Sequence, residues 1–247
     1  MTQPLLIFTH IPRAGGTSMW KIFRAVYGKR IRRIVGKGNF KTREMVAMLL
    51  KDKSNEYDVI GGHVNYGIGK NCVDRQYRYF TVLRDPTNVV LSRYYKRTDP
   101  IIQEKKARNK PGEFEENLRL LRNRTNIGPE AYLLDNGNPL LRFLGGTNRQ
   151  VEGRVTRDHL AIAMKRLQND YACFGFVERY PESMELISRT LSWDQTPAVE
   201  RRNSGGNRPS GHDQRLISLG REVNALDYEL YAFAGELFEE KLAALRI

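Results

Sequence analysis

Residues 4–9 (PLLIFT) form a short apolar run, residues 10–18 (HIPRAGGTS) a glycine-bearing loop, and Met19, Ile22, Phe23 and Val26 the apolar face of a helix. The i, i+3, i+4, i+7 spacing of those four residues is helical, while the preceding run has the length and composition of a buried strand. This order of strand, glycine loop and helix constrains the chain more than any other feature. It is the opening unit of an α/β sheet whose first loop can face a ligand.

The rest of the chain continues the alternation. Residues 58–60 read as a short strand ending in Gly61-Gly62-His63, and residues 77–83 (YRYFTVL) and 171–177 (YACFGFV) as strands rich in aromatic residues. Helical signals cover residues 41–52, 86–96, 129–145, 157–168 and 181–191, and a closing helix interrupted by Gly220 runs to Leu245. Asp85 before Pro86 is a strong helix start, a capping residue followed by proline in the first turn. Residues 97–128 are polar, broken by Pro100, Pro111 and Gly112, and read as an excursion with one helix at 113–122. The expected architecture is α/β: a P-loop-type, mostly parallel sheet flanked by helices on both faces, as one domain over residues 1–247. The loops 10–18, 61–67 and 84–92 then leave the same edge.

The first loop has the chemistry of a phosphate cradle. Gly15 and Gly16 let backbone N–H groups turn toward one ligand, and the helix N-terminus adds partial positive charge. Thr17 and Ser18 supply hydroxyls, and Arg13 a permanent, forked cation. Ala14 completes the turn. An ordinary strand-to-helix turn would use the same glycines and hydroxyls. The Walker pattern requires Gly-Lys-[Ser/Thr], and no lysine precedes Thr17 or Ser18, which argues against an ordinary ATP or GTP loop.

A second basic element follows the 77–83 strand. Arg84 stands at its carboxyl end, and Ser92 lies two helical turns beyond Asp85, on the same side of the helix. Together they offer a site for a second phosphate. Singly, Arg84 pairing with a surface carboxylate and an incidental Ser92 is the simpler account. A Walker-B reading of the strand, with Asp85 on a metal, is opposed by the flanking Arg84 and Pro86.

The chain carries 41 Lys+Arg against 28 Asp+Glu, a net charge of +13. Such a balance points to anionic partners without choosing among cofactor, glycan, membrane surface and nucleic acid. The two cysteines, Cys72 and Cys173, form no CxxC pair, and no HExxH, paired-carboxylate or Cys/His cluster suggests a metal. The Leu5–Phe8 run is far too short for a signal-peptide core, and no segment approaches the about 18 apolar residues of a membrane span. The expectation is a soluble cytoplasmic protein with no membrane span and no nucleic-acid partner.

At this point the residues resemble the PAPS-dependent sulfotransferases, in particular the branch of polysaccharide and heparan-sulfate O-sulfotransferases. IPRAGGTSM is similar to the family's loop for the 5′-phosphosulfate, and Arg84-Asp85-Pro86 with Ser92 to its 3′-phosphate element. Weaker likenesses lie at NPLLRFLG (Asn138 to Gly145), FGFVERYPES (Phe174 to Ser183) and NALDYELYAFAGELF, so that the resemblance spans roughly residues 5–240. It implies PAPS as donor, PAP as product, no metal, and a hydroxylated acceptor, with an anionic glycan among the candidates. Arg13, Ala14, Gly15, Gly16, Thr17, Ser18, Arg84 and Ser92 would hold the donor. Many family members carry lysine where this chain has Arg13. Arginine keeps the charge but cannot release a proton near neutral pH, so its part is electrostatic.

Transfer to a hydroxyl calls for a general base, and histidine suits neutral pH. Of His10, His63, His159 and His212, His63 is the favoured candidate. It follows two glycines that leave room for a ligand, on the edge shared with Arg13 and Arg84, and the related carbohydrate enzymes place a histidine base in a similar loop. A structural histidine is the competing account. Two other functions remain open: a P-loop nucleoside or sugar kinase using ATP and Mg²⁺, and a non-catalytic polyanion-binding protein. The basic residues of the excursion (Lys105, Lys106, Arg108, Lys110, Arg119, Arg122, Arg124) are candidates for an acceptor groove or merely a solvated surface.

Overall fold

The strand sequences divide their side chains between two apolar layers, as expected for a sheet covered on both faces. In the computed structural model, which describes residues 4–34, 54–70, 75–123, 125–146, 155–194 and 213–245, five strands form one sheet. They are β1 (Leu5–Thr9), β2 (Ile31–Ile34), β3 (Val59–Gly62), β4 (Tyr77–Leu83) and β5 (Tyr171–Phe176). Their order is β2-β3-β1-β4-β5, and every pairing is parallel.

Leu6, Phe8, Val59, Phe80, Val82 and Cys173 face one layer, completed by Met19, Trp20, Ile22 and Phe23 of α1 (Gly16–Tyr27) and by Met184 and Ile187 of α8 (Tyr180–Thr190). Leu5, Ile7, Ile60, Tyr79, Leu83 and Phe174 face the other. There they meet α6 (Pro139–Leu144), α7 (Arg157–Asn169) and α10 (Ala225–Ala244) through Leu140, Leu160 and Phe238. A register shift between Tyr79 and Phe80 on β4 skips Ala172, so Tyr171 and Cys173 point into opposite layers. The expected α/β class and helix-covered parallel sheet are therefore present.

Several boundaries differ from the sequence expectation. β2 has no counterpart in it, because IRRI is a four-residue edge strand with two exposed arginines and no alternating apolar signal. The third strand extends through Gly61 and Gly62. The 129–145 segment is two helices, α5 (Pro129–Asp135) and α6, because Asn138 adopts a left-handed φ of 52° and Pro139 restarts the chain. The excursion after α2 (Pro86–Thr98) holds two helices, α3 (Pro100–Arg108) and α4 (Phe114–Asn123), with Asp99 capping the first through the amides of Ile101 and Ile102. Gly220 does not break the closing helix. It lies inside α9 (Gln214–Val223), where a Cβ would come within 2.3 Å of Thr87, and the break falls at buried Asn224. The expected 41–52 helix, Cys72, Arg124 and His212 lie outside the described residues. Among the described residues no helix is long and apolar enough to cross a membrane.

Candidate active site

β1 lies between β3 and β4, so the chain leaves the sheet in opposite directions on its two sides. In open parallel sheets that reversal opens a crevice at the carboxyl edge. The loops after β1, β3 and β4 meet there, carrying Arg13, His63 and Arg84.

The β1–α1 loop is shaped for an anion. Arg13 and Gly15 both have positive φ, 75° and 71°, which turns successive amides toward one side. No side chain caps the N-terminus of α1, and its first turn carries no acidic residue. α5, α6, α8 and α10 also lack a side-chain cap, whereas Asp85, Asp99 and Asp213 cap α2, α3 and α9. The Gly16 and Thr17 N–H groups thus keep their donor capacity for a ligand, while the Ser18 and Met19 amides donate to the Gly15 carbonyl at 3.0 and 3.2 Å. Ala14 is buried beneath the turn, Thr17 is exposed and Ser18 half-buried, both on the first turn of α1.

The second basic element locks onto this loop. Arg13 Nε donates to Ser92 Oγ at 2.7 Å, and Arg84 Nη1 donates to the Arg13 carbonyl at 3.0 Å. Arg93, the residue after Ser92, donates from Nε to the Pro12 carbonyl at 3.4 Å. The structure therefore brings Arg13, Arg84 and Ser92 into one cluster. Asp85 is a structural cap: Oδ1 accepts from the Asn88 amide and Oδ2 from Tyr228 Oη, both at 2.8 Å. Its two oxygens are thereby engaged. Glu178, at the end of β5, accepts from the Asp85 amide and from Tyr231 Oη and lies 3.9 Å from Arg84 Nε. Among the described residues there is no group of three His, Cys, Asp or Glu side chains placed to hold a metal.

His63 stands beside this cluster, exposed, with Nδ1 3.0 Å from the His10 carbonyl. A carbonyl can only accept, so Nδ1 carries the proton and the lone pair is left on Nε2, the arrangement a base requires. Although one face of the residue is open to solvent, desolvation by the surrounding loops lowers its pKa below 6.5. The His10 contact opposes that, and the positive charges of Arg33, Arg93 and Lys96 add to it. His10 is buried, and its ring centre lies 4.4 Å from that of His63. His159 is not in the site; its Nδ1 accepts from the Thr156 amide at 3.0 Å in a capping box at the start of α7.

Sequence reasoning missed Arg33, Arg93 and Lys96. Arg33 sits on the overlooked strand β2, paired in register with Gly61, and its guanidinium lies 6.0 Å from the Trp20 ring centre on the α1 face. Lys96 is one turn beyond Ser92 and Arg93, and that i+3/i+4 spacing was the available signal. Nearness to Arg13, Lys106 and Arg33 adds to the effect of burial in lowering the Lys96 pKa.

The sequence matches no family profile and no curated protein. Among solved structures, the fold is similar to mouse sulfotransferase SULT7A1 complexed with PAP, at 16% identity and a TM-score of 0.42. The match covers 90% of this chain but 63% of that one, so the present chain spans less than two thirds of its length.

Proposed function

We propose that the chain is a sulfotransferase that moves a sulfuryl group from PAPS to an acceptor hydroxyl, on a carbohydrate. The observation that carries this reading is the Arg13–Ser92–Arg84 cluster at the uncapped N-terminus of α1, with a histidine beside it whose Nδ1 faces the His10 carbonyl. A donor with two separate phosphate groups needs two linked anion sites, and the two basic elements supply them. The motif resemblance of both elements to the PAPS-dependent enzymes supports the same choice.

The donor supplies a sulfuryl group on a phosphate leaving group; the chain supplies position and charge. The turn at Arg13–Ser18 and the α1 dipole hold the 5′ end, and Arg84 with Ser92 the 3′-phosphate. His63 Nε2 takes the acceptor's proton as the acceptor oxygen bonds to sulfur and the bond from sulfur to the phosphate oxygen breaks. Arg13 stabilises the negative charge left on PAP and donates no proton.

A thermal-shift panel separates this function from its rivals, since a ligand that binds the native state raises its melting temperature. PAP without metal is expected to stabilise the protein. Stabilisation by ATP with Mg²⁺ alone would indicate a kinase, and by polyanions alone a binding protein. A screen of hydroxylated acceptors with labelled PAPS then identifies the substrate.

A further inference from the structure

One polar side chain, His10, is buried near the proposed donor cradle. His10 directly follows β1, and its amide donates to the Gly62 carbonyl at 2.8 Å. The residue is 6% exposed, and its ring stacks on Phe8 with centres 5.3 Å apart and planes 13° from parallel. Nδ1 is buried without a hydrogen-bond partner. Nε2 reaches the first turn of α1, where a Cβ on Gly16 would stand 1.7 Å from it. Gly16 therefore lacks a side chain because the imidazole edge occupies that space, a reason separate from close approach of a phosphate.

The charged groups around His10 are all cations or a second imidazole: His63 after β3, Arg33 on β2, and Arg93 and Lys96 on α2. Burial first, and these neighbours after it, hold the His10 pKa down to about 3, so at neutral pH the ring carries a single N–H. A proton on Nδ1 would leave a buried donor without an acceptor and turn a lone pair toward any anion on α1. A proton on Nε2 avoids both penalties once an anion is present.

We infer that His10 is a further binding residue of this site, donating Nε2–H to an oxygen of the anion seated at the N-terminus of α1. This rests on the proposed use of α1 as the phosphate cradle. The same residue orients the base through its carbonyl, so His10 fixes His63 and the donor relative to each other.

The test uses the full chain with ¹⁵N-labelled histidine and two probes, inorganic pyrophosphate and PAP. At pH 7 the His10 signals are expected to show a neutral ring protonated on Nε2, and that nitrogen is expected to shift with either probe. In calorimetry, His10→Gln keeps a donor and should hold PAP within about threefold of wild type. His10→Phe keeps the stacking but not the donor and should bind about tenfold more weakly, the scale of one lost hydrogen bond. A His10→Phe protein that binds PAP as tightly as wild type overturns the inference, as does an Nε2 signal unmoved by both probes at saturation. Should His10→Phe fail to fold, the wild-type imidazole shift decides. A shift with pyrophosphate but no PAP binding would sink the sulfuryl-donor reading while keeping the His10 contact. PAP binding without that shift would do the reverse.

Discussion

The Arg13 guanidinium and the Ser92 hydroxyl meet at 2.7 Å, tying the β1–α1 loop to the second turn of α2. Ser92 is 2% exposed, so the hydroxyl is held by its surroundings and in turn fixes the direction of a side chain whose backbone already has a positive φ. Ser92→Ala should leave Arg13 charged but less constrained. A hydrogen bond to a charged group contributes about 1.5–3 kcal/mol, and solvent should recover part of that here, so PAP affinity is expected to fall about tenfold. Arg13→Lys keeps the charge without the fork and should retain substantial turnover, whereas Arg13→Ala should lower turnover more than folding stability. Equal turnover in wild type and Arg13→Ala would remove Arg13 from the mechanism.

Arg84 has two duties, which its variants can separate. Nη1 holds the Arg13 carbonyl, and the guanidinium lies beside Glu178. Arg84→Ala should weaken PAP binding by about 1.5–3 kcal/mol through loss of a charge-assisted contact. It should also lower the melting temperature, because the Arg13 carbonyl loses its donor. Calorimetry showing unchanged PAP affinity would end the 3′-phosphate assignment.

The components of the candidate site were legible where local chemistry and topology coincide. Arg13 to Ser18 and Arg84 with Ser92 could be found because glycine, proline and capping residues mark where strands end. Each residue then needed only a parallel sheet to share an edge with the others. Arg33 was not legible, because its strand IRRI is short, exposed and lies at the sheet edge, with no periodic signal. The packing of Gly16 against His10 was hidden for another reason. Its neighbour His10 is close only because β1 runs directly into the loop that folds back over α1, and sequence spacing does not report such a contact. The Asn224 break was missed because Gly220 offers the stronger local signal, while close packing against Thr87 explains that glycine.

Asp227 provides a test that needs no ligand. It is fully buried on α10 and accepts from the amides of Leu140 at 2.6 Å and Leu141 at 2.8 Å, capping α6 from a distant element. Burial raises its pKa from 3.8 to about 7, the two amides opposing the shift. A carboxyl with a raised native pKa contributes its stability fully below pH 3.8 and loses it as pH rises through about 7. The stability advantage of wild type over Asp227→Asn should therefore shrink between those limits in urea denaturation. Asp227→Ala strands two amides and should cost about 2–5 kcal/mol. A pH-independent difference between wild type and Asp227→Asn would refute the raised pKa.

His63 carries the mechanistic prediction. In the proposed mechanism Nδ1–H is donated to the His10 carbonyl, and Nε2 would accept the acceptor's proton only while the ring is neutral. A general base contributes about 10²–10⁴-fold to rate, so His63→Ala should lose that much turnover on whichever acceptor the labelled-PAPS screen identifies. PAP affinity should barely change, because in the proposed mechanism the base would address the acceptor hydroxyl. Retained binding with near-normal transfer would make His63 structural. The pH profile supplies an independent check. Burial and the cations Arg33, Arg93 and Lys96 lower the His63 pKa, so the acidic limb of kcat/KM, which reports the free enzyme, should have its midpoint below 6.5. Lowering the pKa extends the neutral form toward acid, and the rate declines only once the ring protonates. Arg33→Ala removes one of those cations and should move the midpoint to higher pH without removing the base. A midpoint indifferent to Arg33 and to the loss of His63 would assign the titration, and with it the proton transfer, to another group.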